Sequence, residues 1–171
     1  MKRSAAFLLC FLIIIVAVGC KEENEKSSHS IDISYFADAG ALPDCKFKIG
    51  DSLPENDQLE KDGFVIFSDS SPAYISDGVF NFFFDGSAGE EKITKIAALD
   101  SCLGFELGSI SIEITDALDE QKIGYTERNA APGELFFLPA GADRSVIECK
   151  NLKNPLLFIL EENALCAVLL G

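Results

Sequence analysis

The sequence predicts an α+β fold made of two tandem units, each a short helical segment followed by a four-stranded antiparallel sheet. Three observations carry this. The phrase Phe47-x-Ile49-Gly50 returns as Phe105-x-Leu107-Gly108. A stretch compatible with a short helix follows each copy. Four short apolar runs, parted by turn residues, then follow each helix. The same eight runs could instead close into an all-β barrel or form a sandwich, with an apolar interior for a small ligand. Strand order separates these arrangements: two four-stranded sheets mark the first, one closed sheet the second.

The chain opens on a targeting signal. Lys2 and Arg3 form a positive n-region, and Ala5 to Gly19 is small and apolar throughout. That stretch is shorter than the ~20 residues a bilayer-spanning helix needs. "AVGC" (residues 17–20) resembles a bacterial lipobox, which implies that residues 1–19 are removed and that Cys20 becomes a lipid-modified, palmitate-type N-terminus. Two acyl chains suffice for stable anchoring where one does not. Lys21, rather than Asp, after the cysteine favours the outer membrane where one exists, on its periplasmic side or surface. "KEENEKSSHS" has no apolar residue to bury, so residues 20–30 form the acylated cysteine and a tether. The units then span 31–100 and 101–171.

In the first unit, "SLPENDQLEKDG" offers Ser52 as a cap, Pro54 in the first turn and Gly63 beyond the end, which predicts two turns of helix. "FVIFS", "AYIS", "VFNFFF" and "KITKIAAL" are β-branched or aromatic and predict strands over 64–68, 73–76, 79–84 and 92–99. In the second unit, "SISIEITDALDE" spaces Ile110, Ile114, Ala117 and Leu118 near the helical period, although its opening alternates as a strand does. The apolar runs after it are "ELFFLPA", "SVIECK", "PLLFILEE" and "ALCAVLLG".

Alternation adds one requirement. Phe80, Phe82 and Phe84 face one way from their strand, and Val79, Asn81 and Phe83 the other. Leu157 and Ile159 likewise oppose Leu156, Phe158 and Leu160. Both sheet faces are largely apolar, so something must cover the second: a helix, the other unit's sheet or a partner.

Two units of a short helix plus a four-strand meander, each opened by the phrases at Phe47 and Phe105 and closed by hairpins around Asp85-Gly86 and Glu162-Asn163, resemble the β-lactamase-inhibitor-protein-like fold. Its single-unit relatives include small outer-membrane assembly lipoproteins. The resemblance covers residues 33–171 and implies paired sheets whose concave surface grips another protein. The inhibitory members carry aromatic hot spots there; this chain has no Trp.

The formal net charge of −14, which drops further when Lys2 and Arg3 leave with the signal, excludes nucleic acid and anionic lipid surfaces as partners. The single histidine, His29, lies in the tether, where no rigid surroundings could hold it for catalysis or metal binding. No catalytic residue, cofactor or metal is expected. "DGSAGEE" lacks an alternating set of calcium ligands and reads as a hairpin turn. Glu134, Asp143 and Glu148 could supply a carboxylate pair for glycoside hydrolysis only if folding sets them at the right separation. Cys45, Cys102, Cys149 and Cys166, exported to an oxidising compartment, predict two disulfides. Four cysteines permit three pairings, and Cys45–Cys102 with Cys149–Cys166 is the predicted one.

The function these features predict is a lipid-anchored, non-catalytic protein-binding module of the cell envelope, an inhibitor or an assembly scaffold; the alternative is a small-ligand-binding barrel or an envelope hydrolase. "TERNAAPGE" (residues 126–134) has no counterpart of equal length in the first unit and is expected to be a recognition loop. Tyr125, Arg128 and Asn129 are its anchor residues. Otherwise the segment is a second helical turn packed against its sheet.

Overall fold

A computed structural model describes residues 31–87, 89–140 and 142–171. Its elements are α1 (Ile33–Ala39), α2 (Asn56–Lys61), β1 (Val65–Phe67), β2 (Tyr74–Ser76), β3 (Phe80–Asp85), β4 (Lys92–Ala98), α3 (Ser111–Glu120), β5 (Tyr125–Asn129), β6 (Arg144–Cys149), β7 (Leu156–Glu161) and β8 (Ala164–Leu170). All eight strands lie in one antiparallel sheet ordered β1-β2-β3-β4-β8-β7-β6-β5. The expected pair of sheets is thus one sheet, joined at its centre where Ile96, Ala97 and Ala98 pair with Leu170, Leu169 and Val168. It stays open, with β1 and β5 as unpaired edges, so there is neither a barrel nor a sandwich. Among the described residues, no helix is long and apolar enough to cross a membrane.

The helices follow their local chemistry. Asp32 caps α1 by accepting a hydrogen bond from the Tyr35 amide (2.9 Å), and Gly40 closes it at φ 73°, a left-handed conformation that costs glycine least. This helix was not expected. It is tied to distant chain: the Ile33 amide donates to Gln121 Oε1 (2.9 Å), and Asn154 Nδ2 donates to the Ala37 carbonyl (2.7 Å). The predicted helix after Ser52 starts later, at Asn56, because Ser52 instead bridges to Lys92. Ser111–Glu120 is helical despite its alternating start, with Glu113 bonded back to the Ile110 amide and Ile114 and Leu118 buried.

The repeated phrases at Phe47 and Phe105 make similar bonds. Gly50 (φ 90°) donates to the Ile93 carbonyl at the start of β4, and Ile93 donates to Asp51. Gly108 (φ 93°) donates to the Leu165 carbonyl at the start of β8, and Leu165 donates to Ser109. A register shift falls between Phe83 and Phe84 in one hairpin and between Ile159 and Leu160 in the other.

One sheet face carries the main core, where α1, α2 and α3 bring Ile33, Leu59 and Leu118 against Phe82, Ile96 and Phe158. All four described cysteines are free thiols, so neither predicted disulfide is formed. For Cys149–Cys166 the sheet itself forbids the bond. Cys149 (β6) belongs to the helix-side core and Cys166 (β8) packs on the opposite face, with β7 between them. Two strand spacings are about 9.6 Å, beyond the ~7 Å between Cα atoms that a disulfide spans.

Candidate functional site

The second sheet face is where sequence and fold part company. "ELFFLPA" is not a strand: the run is bracketed by Pro132-Gly133 and Pro139, which interrupt a hydrogen-bonded ladder. The strand is Tyr125–Asn129, whose polar residues suit a sheet edge. After it, residues 130–140 fold back as a strap. Leu135 is buried and Phe137 and Leu138 half-buried against Val146, Leu157, Ile159 and Leu169. The cover that the apolar second face demanded is this strap.

Side chains hold it. Within the strap, backbone bonds run from Glu134 to Ala131 and from Leu138 to Leu135; among the described residues, none joins 131–140 to the sheet. Arg128, on β5, reaches Glu134 of the strap through Nη1 (2.8 Å) and Nη2, and Glu148 of β6 through Nε (2.9 Å). Lys150 also donates to Glu148 (2.6 Å). At the far end Arg144 Nη1 donates to the Pro139 carbonyl (2.7 Å) while Nε holds Glu161 (3.0 Å). The Arg128 guanidinium holds the Glu134 carboxyl below its ordinary range, and Lys150, then Arg128, do the same to Glu148. The Arg128 value is raised in turn, first by Glu134 and then by Glu148.

Beside the strap runs an aromatic row. Phe67 stacks on Tyr74 (4.4 Å, 12°), Tyr74 meets Phe83 (5.5 Å), and Phe83 meets Phe136 edge-to-face (5.0 Å, 83°). The row is not sealed: Val65, Phe67 and Phe136 remain 57%, 37% and 38% exposed. Asn81, on the same face of β3 as Phe83, is buried, and its side chain makes no hydrogen bond among the described residues. Grooves flank Phe136 on both sides. One of about 850 Å³ lies between the strap and the β7–β8 turn, lined by Asn129, Phe136, Leu138, Arg144 and Asn163. The other, about 570 Å³, lies toward β2–β4.

The predicted anchors do not assemble into one surface. Tyr125 packs against the helix-side core, whereas Arg128 points to the strap face and is held by carboxylates on two sides. Asn129 is exposed and lines the larger groove. "TERNAAPGE" is therefore part edge strand and part strap rather than a free loop. Glu134 and Glu148 do meet, at Arg128, but both are held ionised, and a glycosidase acid needs its pKa raised. Cys20 and His29 lie outside the described residues. Among the described residues no group of three or more His, Cys, Asp or Glu is placed to hold a metal. Phe67, Tyr74 and Phe136 were not singled out in the sequence; the Pro and Gly punctuation around Phe136 was the signal for a loop there.

No protein-family model, curated protein or solved structure matches this chain.

Proposed function

We propose that this chain is a lipid-anchored cell-envelope protein, held through Cys20, that binds another envelope protein without catalysis, as an inhibitor or an assembly scaffold. The observation that carries this is the aromatic row Phe67–Tyr74–Phe83–Phe136, whose two ends, Phe67 and Phe136, are exposed, set on a sheet and bordered by grooves. Rigid aromatic side chains on a scaffold bind at low entropic cost. The matching bonds of Gly50 to Ile93 and Gly108 to Leu165, and the register shifts at corresponding places, support a tandem-unit origin of the kind the β-lactamase-inhibitor-protein-like resemblance implies. Glu134 and Glu148 are both ion-paired, to Arg128 and in the case of Glu148 also to Lys150, which favours binding over hydrolysis.

The test is photo-crosslinking of the full chain in its own envelope. Benzoylphenylalanine replaces Phe67, Phe136 or, as a comparison on the helix side, the exposed Ile112. An adduct of one common mass from Phe67 and Phe136, absent from Ile112, is expected. No adduct, or the same adduct from all three, overturns the reading. A fatty-acid probe should label the wild type and not Cys20→Ala; equal labelling removes the anchor.

A further inference from the structure

Deepening that reading, and resting on it, we infer that the groove between Phe136 and the β3–β4 hairpin is a socket for an arginine side chain presented by the partner. The groove, about 570 Å³, falls within the ~300–1,000 Å³ typical of sites that enclose a ligand. Its apolar walls are Phe83, Phe136 and Pro72, and its rim carries Asp85, Glu91 and Lys95. Phe83 and Phe136 stand edge-to-face; Phe83 is buried, and Phe136 is the ring left exposed beside the groove.

Charge selects the occupant. Asp85 accepts a bond from the Gly86 amide (2.8 Å) and Glu91 one from the Gly89 amide (2.7 Å). Neither forms an ion pair among the described residues, although each keeps a second oxygen for another donor. The one base lining the groove, Lys95, forms no ion pair among the described residues. On the strap side, by contrast, Arg128, Arg144 and Lys150 each hold a carboxylate. The socket thus offers the exposed Phe136 ring and two carboxylates without ion pairs, which outnumber the one lysine lining it. An anion is repelled, and a neutral apolar group would cover those carboxylates without pairing them. A guanidinium satisfies both features: its plane stacks on an aromatic ring, here Phe136, while its fork of donors meets carboxylates, and its methylene stem covers the apolar wall.

The experiment is amide NMR of the full acylated chain in detergent micelles, titrated with N-acetylarginine amide and, separately, with uncharged N-acetylcitrulline amide of nearly the same shape. Saturable shifts at Gly86, Thr94 and Phe136 are expected with arginine, with binding weakened about tenfold or more for citrulline, which corresponds to ~1.4 kcal/mol. Asp85→Asn with Glu91→Gln should abolish the preference while leaving the melting temperature unchanged. No saturable shifts at these amides, or equal binding of the two amides, overturns the socket. Crosslinking from Phe67 and Phe136 that persists undiminished in the Asp85→Asn, Glu91→Gln variant also overturns it and leaves the binding module standing. Arginine-selective shifts without any crosslinked partner would do the reverse.

Discussion

Arg128 and Glu134 lie six positions apart, yet the guanidinium meets the carboxylate with both terminal nitrogens, because the chain between them turns back from an edge strand onto the sheet. That pair fixes the start of the strap. A bidentate, partly shielded pair of this kind has directional strength that an exposed Lys–Glu contact lacks.

Arg128→Ala should therefore loosen the strap without unfolding the sheet. The expected loss is ~1 kcal/mol in global stability, since the pair is partly solvated. The local effect is larger: faster proteolysis within 130–140 and increased binding of a hydrophobic dye as Leu157 and Ile159 become accessible. Arg128→Lys should behave more like alanine than wild type, because an ammonium cannot engage Glu134 and Glu148 with the same fork. Unchanged proteolysis in both variants would mean that packing of Leu135 and Phe137 alone holds the strap.

The same latch sets a pH dependence. The Glu134 and Glu148 carboxyls are lowered in the folded chain from an ordinary value near 4.5. Their contribution is present above that value and is lost as pH falls below about 4.5 through the lowered folded values, because the unfolded chain takes up the protons first. Melting temperature measured across this range should fall more steeply in wild type than in Arg128→Ala. Parallel curves would show that the latch contributes nothing.

The thiols should divide by burial. Cys102 and Cys149 are buried and pushed up to about 12 by desolvation. Cys45 and Cys166 are half-exposed and raised less. Alkylation of the folded, reduced chain should modify Cys45 and Cys166 before Cys102 and Cys149. Stability should fall as pH climbs from about 9 toward about 12, since the unfolded chain ionises these thiols first. Simultaneous labelling of all four would contradict the packing of the helix-side core.

Much of this fold was legible because strand alternation and turn chemistry are local. Phe82 and Phe83 do part to opposite faces, and the repeated phrases place Gly50 and Gly108 at matching positions, both with positive φ. α1 was missed, although Asp32 and Gly40 mark its ends, because its seven residues follow a polar tether and present little apolar pattern. The strap was missed as well. "ELFFLPA" has the composition of a strand, and composition does not distinguish an apolar run that joins a sheet from one that lies across it. The site inherits that limit: the Arg128–Glu134 pair, the aromatic row and both grooves exist only once residues 130–140 have folded back, so no spacing in the sequence announces them.

Asn81 is the buried polar residue of β3. It is 5% exposed, stands in register between Ser76 and Ala97, and shares the face of Phe83. Its backbone belongs to the ladder, but its amide makes no side-chain hydrogen bond among the described residues. A buried amide left unpaired costs ~1–3 kcal/mol, and an apolar residue of similar shape removes that cost. Asn81→Leu should then raise the melting temperature, by about 2–4 °C for each kcal/mol recovered in a domain of this size. Asn81→Asp should lower it sharply, since burial of an unpaired charge costs more than burial of an amide. Differential scanning calorimetry of the three proteins decides the matter. A lower melting temperature for Asn81→Leu would show that the amide has a partner that stabilises the fold, and the apolar face of β3 would then be a polar contact instead.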